Sequence, residues 1–184
     1  MLKKSSDFEY LAAAASIIRK DVEQSQIQWK DSPFEWVLRL PAGSKGKLGK
    51  HLISQYFALK GLSVTNKSID PGSDMLVNGH RMEIKFSTLW NSGIYKFQQI
   101  RDQDYEFMIC LGISPFEAHC WVINKQILKQ EVIGHLGQHT GKGGTETFWF
   151  SVNPSEPQQW LINCGGTLES AFYIIRNLRN KKIY

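Results

Sequence analysis

The sequence predicts an α/β domain in which a central mixed β-sheet is flanked by α-helices. Three observations predict it. Apolar residues recur at helical spacing over about 6–24 and about 44–60. The pattern then shifts to short apolar or alternating runs between Leu62 and Ile123. Helical spacing returns near 124–132 and 167–180. Strands that are apolar on both sides need cover on both faces, and helices at either end of the chain supply it.

The elements follow in order. Phe8, Leu11, Ala15, Ile18 and Val22 mark the first helix, with the run Ala12 to Ala15 inside it. Ser32-Pro33-Phe34-Glu35 has the form of a helix start, with Ser as N-cap, Pro in the first turn and Glu closing a capping box. The second helix carries Leu48, Leu52, Ile53, Tyr56 and Leu59 on one side, and Gly61 stops it. Leu62 to Lys67 is expected as a strand and Asp74 to Val77 as another. Asn78-Gly79 is a hairpin turn, and His80 to Thr88 is the returning strand. Ile94 to Asp102 is expected as a short helix. Tyr105 to Ile113 and His119 to Ile123 are expected as central strands parted by a turn at Ser114-Pro115. Asn124 to Val132 is helical, Gly134 to Thr145 a glycine-rich loop, Thr147 to Val152 a strand and Thr167 to Asn180 a closing helix. Nothing divides the chain, so residues 1–184 are expected to be one domain. It comprises an N-terminal helical region (1–43), a core (44–123) and a C-terminal region (124–184).

Composition sets bounds. Hydrophobic residues at 42% and charged residues at 21% exclude a disordered chain. No apolar run approaches the roughly 20 residues of a membrane span, and Ser5 to Tyr10 is polar where a signal sequence would be apolar, so none is expected. Cys110, Cys120 and Cys164 are odd in number and lack metal-type spacing, so reduced thiols and a cytoplasmic location are expected. A net charge of +5 suggests a polyanionic partner, and Lys45, Lys47 and Lys50 cluster among glycines at the start of the second helix. A second cluster, Arg176, Arg179, Lys181 and Lys182, suits the C-terminus of the last helix.

The chemistry-bearing stretch is Asp74 followed by Glu83-Ile84-Lys85. Strand side chains alternate, so Glu83 and Lys85 share one face while Ile84 and Phe86 share the other. A glutamate and a lysine in an otherwise apolar strand are costly unless that face opens on a cleft. The Asn78-Gly79 turn folds Asp74 back beside Glu83, so two carboxylates converge next to a lysine. Two clustered carboxylates repel, a divalent cation relieves the repulsion, and oxygen ligands select a hard ion such as Mg2+. The Ile84 backbone carbonyl is a further hard ligand within reach. Such a metal polarises a phosphate oxygen and activates water, and Lys85 can stabilise the charge that develops on phosphorus or orient the attacking water.

Pro71, Asp74 and Glu83-Ile84-Lys85, in this hairpin context, resemble the PD-(D/E)xK motif of the restriction-endonuclease-like nucleases. The likeness covers residues 44 to 123. It implies a restriction-endonuclease-like sheet and metal-dependent hydrolysis of double-stranded DNA, with Asp74, Glu83 and Lys85 catalytic. It also implies Mg2+ held by Asp74, Glu83 and the Ile84 carbonyl, with Mn2+ able to substitute. The chain's size resembles that of a Type II restriction endonuclease acting as a homodimer. A junction-resolving or repair nuclease, and a DNA-binding module without catalysis, are the alternatives. The chain departs from many such nucleases at Lys50-His51, where they place a glutamate. Glu35 then stands as either a replacement ligand or a helix cap. Asp70 competes with Asp74 for the first ligand position.

DNA contacts are expected from Lys45, Lys47, Lys50, Trp90, Asn91, Gln98, Gln138, His139 and Lys142, with Gln99 beside Gln98. Trp90 has burial in the core as its competing role, and Gln98 and Gln99 have an ordinary helix surface. Gly43 to Lys50 is one residue too long for a nucleotide-binding loop, and His51 stands where a hydroxyl would hold magnesium. His135 and His139 lack the cysteines and the helix that a zinc site would need.

Overall fold

A computed structural model describes residues 5–66, 72–138 and 146–178. Among the described residues, four α-helices run α1 Ser6–Ser25, α2 Ala42–Leu59, α3 Lys125–Glu131 and α4 Leu168–Asn177. The described strands are β1 Val64–Thr65, β2 Met75–Val77, β3 His80–Thr88, β4 Tyr95–Ile100, β5 Phe107–Ile113, β6 Ala118–Asn124, β7 Gly137–Gln138 and β8 Thr147–Val152. The main sheet has the order β1-β2-β3-β5-β6. It is mixed, because β3 and β5 are parallel while the other pairs are antiparallel.

Alternation along β3 and β5 divides the interior. Ile84, Ile109, Leu111 and Ile113 join Ile53 and Phe57 of α2 and Phe172 and Ile175 of α4 in one core cluster. Met108 and Cys110 point the other way, into a cluster with Tyr95, Phe97, Phe148, Phe150 and, from α3, Leu128. The second face is thus covered by α3 and by a smaller sheet, β4-β8-β7. The expected α/β architecture, a central mixed sheet flanked by helices, is the one observed.

Local chemistry explains the hairpin. Asn78 and Gly79 have φ of 51° and 81°, the pair of positive values that lets a two-residue turn match strand twist. Asn78 also ties β1 down, donating its N–H to the Ser63 carbonyl at 2.9 Å and accepting the Ser63 N–H on its side-chain oxygen at 3.2 Å.

Several expectations need correcting. Residues 94–102 contain β4 rather than a helix. The strand carries an irregularity between Phe97 and Ile100, so its buried residues fall at 95, 97 and 100. That three-residue step imitates helical spacing in the sequence. The apolar side of α2 is set by Gly49, Ile53 and Phe57, while Leu59 is 86% exposed. Gly49 explains the rotation, since a Cβ there would lie 2.4 Å from Phe86 Cβ; the helix backbone rests directly on β3. β6 is an edge strand, not a central one, with Trp121 bridged to Gly165 on its outer side. It reads as central because both its faces are covered.

The Ser32 to Glu35 capping box does not form. Ser32 accepts the Phe34 N–H at 3.0 Å and donates its hydroxyl to the Pro115 carbonyl, and only a 3-10 turn, Glu35–Arg39, follows. The first helix forms as expected, but its described side chains are exposed, Phe8, Leu11, Ile18 and Val22 among them. The three cysteines are buried and free. Among the described residues, no helix is long and apolar enough to cross a membrane.

Candidate active site

Asp74 stands one residue before β2. Its N–H donates to the Met82 carbonyl at 2.8 Å, which extends the β2–β3 ladder and sets Asp74 across from Glu83. One carboxylate oxygen, Oδ2, accepts the Ile84 N–H at 2.8 Å. The other, Oδ1, pairs with the Lys50 ammonium from α2. Two residues along β3, Lys85 Nζ lies 2.7 Å from Glu83 Oε1 and donates to the Gln99 carbonyl at 2.9 Å. The Asp74 and Glu83 side chains are each 12% exposed and Lys85 is 16% exposed, whereas Lys50 is 44% exposed. Two carboxylates and two ammonium groups therefore meet at one largely buried cluster.

Burial is the chief electrostatic influence on Glu83 and pushes its carboxyl upward. Asp74 adds to that, while Lys85 and Lys50 pull the other way. Burial also raises the Tyr105 hydroxyl, with the charge of Glu83 contributing. Burial thus opposes negative charge on Glu83, and the two lysines offset part of that opposition.

The cluster opens on a cleft of about 620 Å³. α2 contributes Lys45, Lys47 and Lys50 to its lining, β3 contributes Glu83 and Lys85, and β4 contributes Lys96, Gln98 and Gln99. Trp90 stands at the wall, 47% exposed, with Lys96 Nζ 3.9 Å from its ring centroid. That position overturns core burial for Trp90. Asn91 lines an adjoining depression, which shares Lys45, Thr88 and Trp90 with the cleft.

The structure brings together Asp74, Glu83, Lys85, Lys45, Lys47, Lys50, Trp90 and Gln98. It does not bring in Glu35, which pairs with Arg39 at 3.3 Å and is absent from the cleft lining. Glu35 makes no cap hydrogen bond, and its carboxylate instead pairs with an exposed partner one helical turn away. Pro71, Asp70, His139 and Lys142, with Arg179, Lys181 and Lys182, lie outside the described residues, as does the side chain of Gln138. Sequence reasoning missed Lys96 because it read the segment as a helix. The alternation of Tyr95 and Phe97 around it is the signal that identifies it. Gln99 gains a role that its residue type does not advertise. With φ of +55° at the irregularity in β4, it offers its backbone carbonyl to Lys85.

The donor set fits a hard divalent cation. Asp74 and Glu83 supply carboxylate oxygens. The Ile84 N–H points at Asp74, and a strand residue's carbonyl leaves on the same side as its N–H, so a backbone oxygen faces the same corner. Among the described residues, no group of three or more His, Cys, Asp or Glu side chains is placed to hold a metal. A metal here would therefore depend on two carboxylates and backbone or solvent oxygens.

No protein-family model matches the chain, and no curated protein does. Among solved structures, a bacterial homing endonuclease aligns with a TM-score of 0.47 and 15% identity, over 74% of this chain and 92% of that one. A likeness of that size bears on neither the origin nor the activity of this chain.

Proposed function

We propose that this protein is a metal-dependent endonuclease that hydrolyses phosphodiester bonds in double-stranded DNA. The observation that carries the reading is the meeting of Asp74, Glu83 and Lys85 at a cleft walled by lysines. Asp74 and Glu83, with the Ile84 carbonyl, hold Mg2+, for which Mn2+ substitutes. When bound, the ion supplies Lewis-acid polarisation of the phosphate and a more acidic water. The chain's own groups do the rest. Lys45, Lys47 and Lys96 draw the DNA backbone into the cleft. The Ile84 N–H fixes the Asp74 carboxylate, so that its orientation costs nothing at the moment of reaction. Lys85 is held by Glu83 and the Gln99 carbonyl, which aims its ammonium at the charge that builds on the phosphate oxygens.

Within this class the reading is a site-specific Type II restriction endonuclease acting as a cytoplasmic homodimer. Two copies of one site cut two strands, and two-fold symmetry matches a palindromic target. Gln98, Trp90 and Asn91 at the cleft rim are the base-contacting candidates.

The test is incubation of the purified protein with unmethylated phage DNA and Mg2+, followed by sequencing of the ends. Discrete fragments with one common end sequence support restriction. Preference for branched over linear duplex replaces it with junction resolution. Binding without cutting under Mg2+ and Mn2+ leaves a non-catalytic DNA-binding module.

A further inference from the structure

The two ion pairs of the cluster are not alike. Glu83 and Lys85 sit on one strand and are both largely buried. Lys50 instead reaches Asp74 from α2, on a side chain that is 44% exposed. Asp74 has one oxygen fixed by the Ile84 backbone and the other on this long, half-exposed cation.

Asp74 and Glu83 are balanced by Lys50 and Lys85, so the cluster is neutral before any ion enters. A divalent ion held by the two carboxylates brings it to a net charge of plus two. An ion held there would compete with the Lys50 ammonium for the Asp74 carboxylate, whose other oxygen accepts the Ile84 N–H. Lysine is a point charge on a flexible four-carbon stem, and Lys50 lines the cleft that the nuclease reading assigns to the DNA backbone. A phosphodiester entering the cleft offers the displaced ammonium a new anionic partner.

We propose that Lys50 is a tethered cation that occupies Asp74 until one divalent ion displaces it, and that it then contacts the scissile phosphate in place of a second ion. The proposal rests on the nuclease reading. It makes Lys50 a catalytic residue, where lysines 45 and 47 on the same helix serve attraction alone. It also predicts one ion per chain. No bond is made or broken in the exchange; one ammonium leaves a carboxylate for a phosphate.

The experiment is calorimetric titration of Mn2+ into the full chain without DNA, paired with plasmid cleavage, for wild type, Lys50→Ala, Lys50→Arg and Glu83→Gln. Wild type is expected to bind one Mn2+ per chain. Lys50→Ala removes the competing charge and binds Mn2+ about tenfold tighter, a modest figure because the side chain is half exposed. The same variant cuts about 100-fold more slowly, the size of effect expected from losing one charge-stabilising group. Lys50→Arg restores part of the cleavage and returns Mn2+ affinity toward wild type. Unchanged Mn2+ affinity in Lys50→Ala, or two ions per wild-type chain, overturns the proposal while leaving the nuclease reading in place. Wild type and Glu83→Gln that both bind no Mn2+, with no cleavage by either, overturn the nuclease reading itself.

Discussion

The Asp74 carboxylate accepts the backbone N–H of Ile84 at 2.8 Å, which locks the end of one strand to the middle of its neighbour. The bond serves structure and chemistry together, and two variants separate these roles. Asp74→Asn keeps an oxygen for the Ile84 N–H and loses the charge. It is expected to fold with stability within about 1 kcal/mol of wild type and to cut about 100-fold more slowly or worse. Asp74→Ala also orphans the N–H and is expected to lose about 1–3 kcal/mol. Urea melts and plasmid nicking measure both. Wild-type cleavage by Asp74→Asn would remove Asp74 from the site.

Glu83 gives a pH dependence with a definite sign. Burial holds its carboxyl above the ordinary 4.5, so the folded state keeps a proton that the unfolded chain has released. Its contribution to stability is full below that ordinary value and is lost as pH rises through the folded value. In chelator, Glu83→Gln is therefore expected to be more stable than wild type at neutral pH, with the difference shrinking as pH falls. Melts across pH test this, and a difference that stays constant with pH contradicts it.

Gly49 sets how closely α2 approaches β3. Gly49→Ala places a methyl group 2.4 Å from Phe86 Cβ, an atom beside the backbone that cannot swing away. A loss of about 1–3 kcal/mol is expected. Cleavage should also fall, because Phe86 adjoins Lys85 on the strand. A chemical melt without loss of stability would show that the helix shifts freely.

Trp90 and Lys96 form one wall of the cleft, ring against ammonium at 3.9 Å. Replacing Lys45, Lys47 and Lys96 by alanine is expected to weaken duplex binding and to flatten its salt dependence by about 0.9 in log–log slope per lost phosphate contact. Trp90→Ala should weaken binding with little change in slope, since it removes surface rather than charge. Fluorescence anisotropy of a labelled duplex across salt concentrations separates the two. An unchanged slope in the triple variant would place the DNA elsewhere.

The described side chains of α1 are exposed. A chain beginning at Gln26 is expected to keep the chemical stability of the full-length chain within about 0.5 kcal/mol. A larger loss would mean that the helix is held by contacts outside one chain.

The sequence alone determined the hairpin and the residues it juxtaposes. Asn78-Gly79 fixes a two-residue turn, and a turn of known length fixes which residues lie opposite, so Asp74 beside Glu83 was legible from spacing. The period-two alternation of Glu83, Ile84, Lys85 and Phe86 likewise assigned their faces. These are local rules, and they need no knowledge of distant chain.

Only the tertiary structure decided the rest. Residues 95–100 carry a helical spacing and become a strand because β8 pairs with them, 53 residues away at the Phe97–Phe150 contact. Lys50 meets Asp74, and the Gln99 carbonyl meets Lys85, through the docking of α2 and β4 on the sheet. Such meetings depend on which elements pack together. Packing is settled by burying apolar surface over the whole chain, and no window of sequence contains that information.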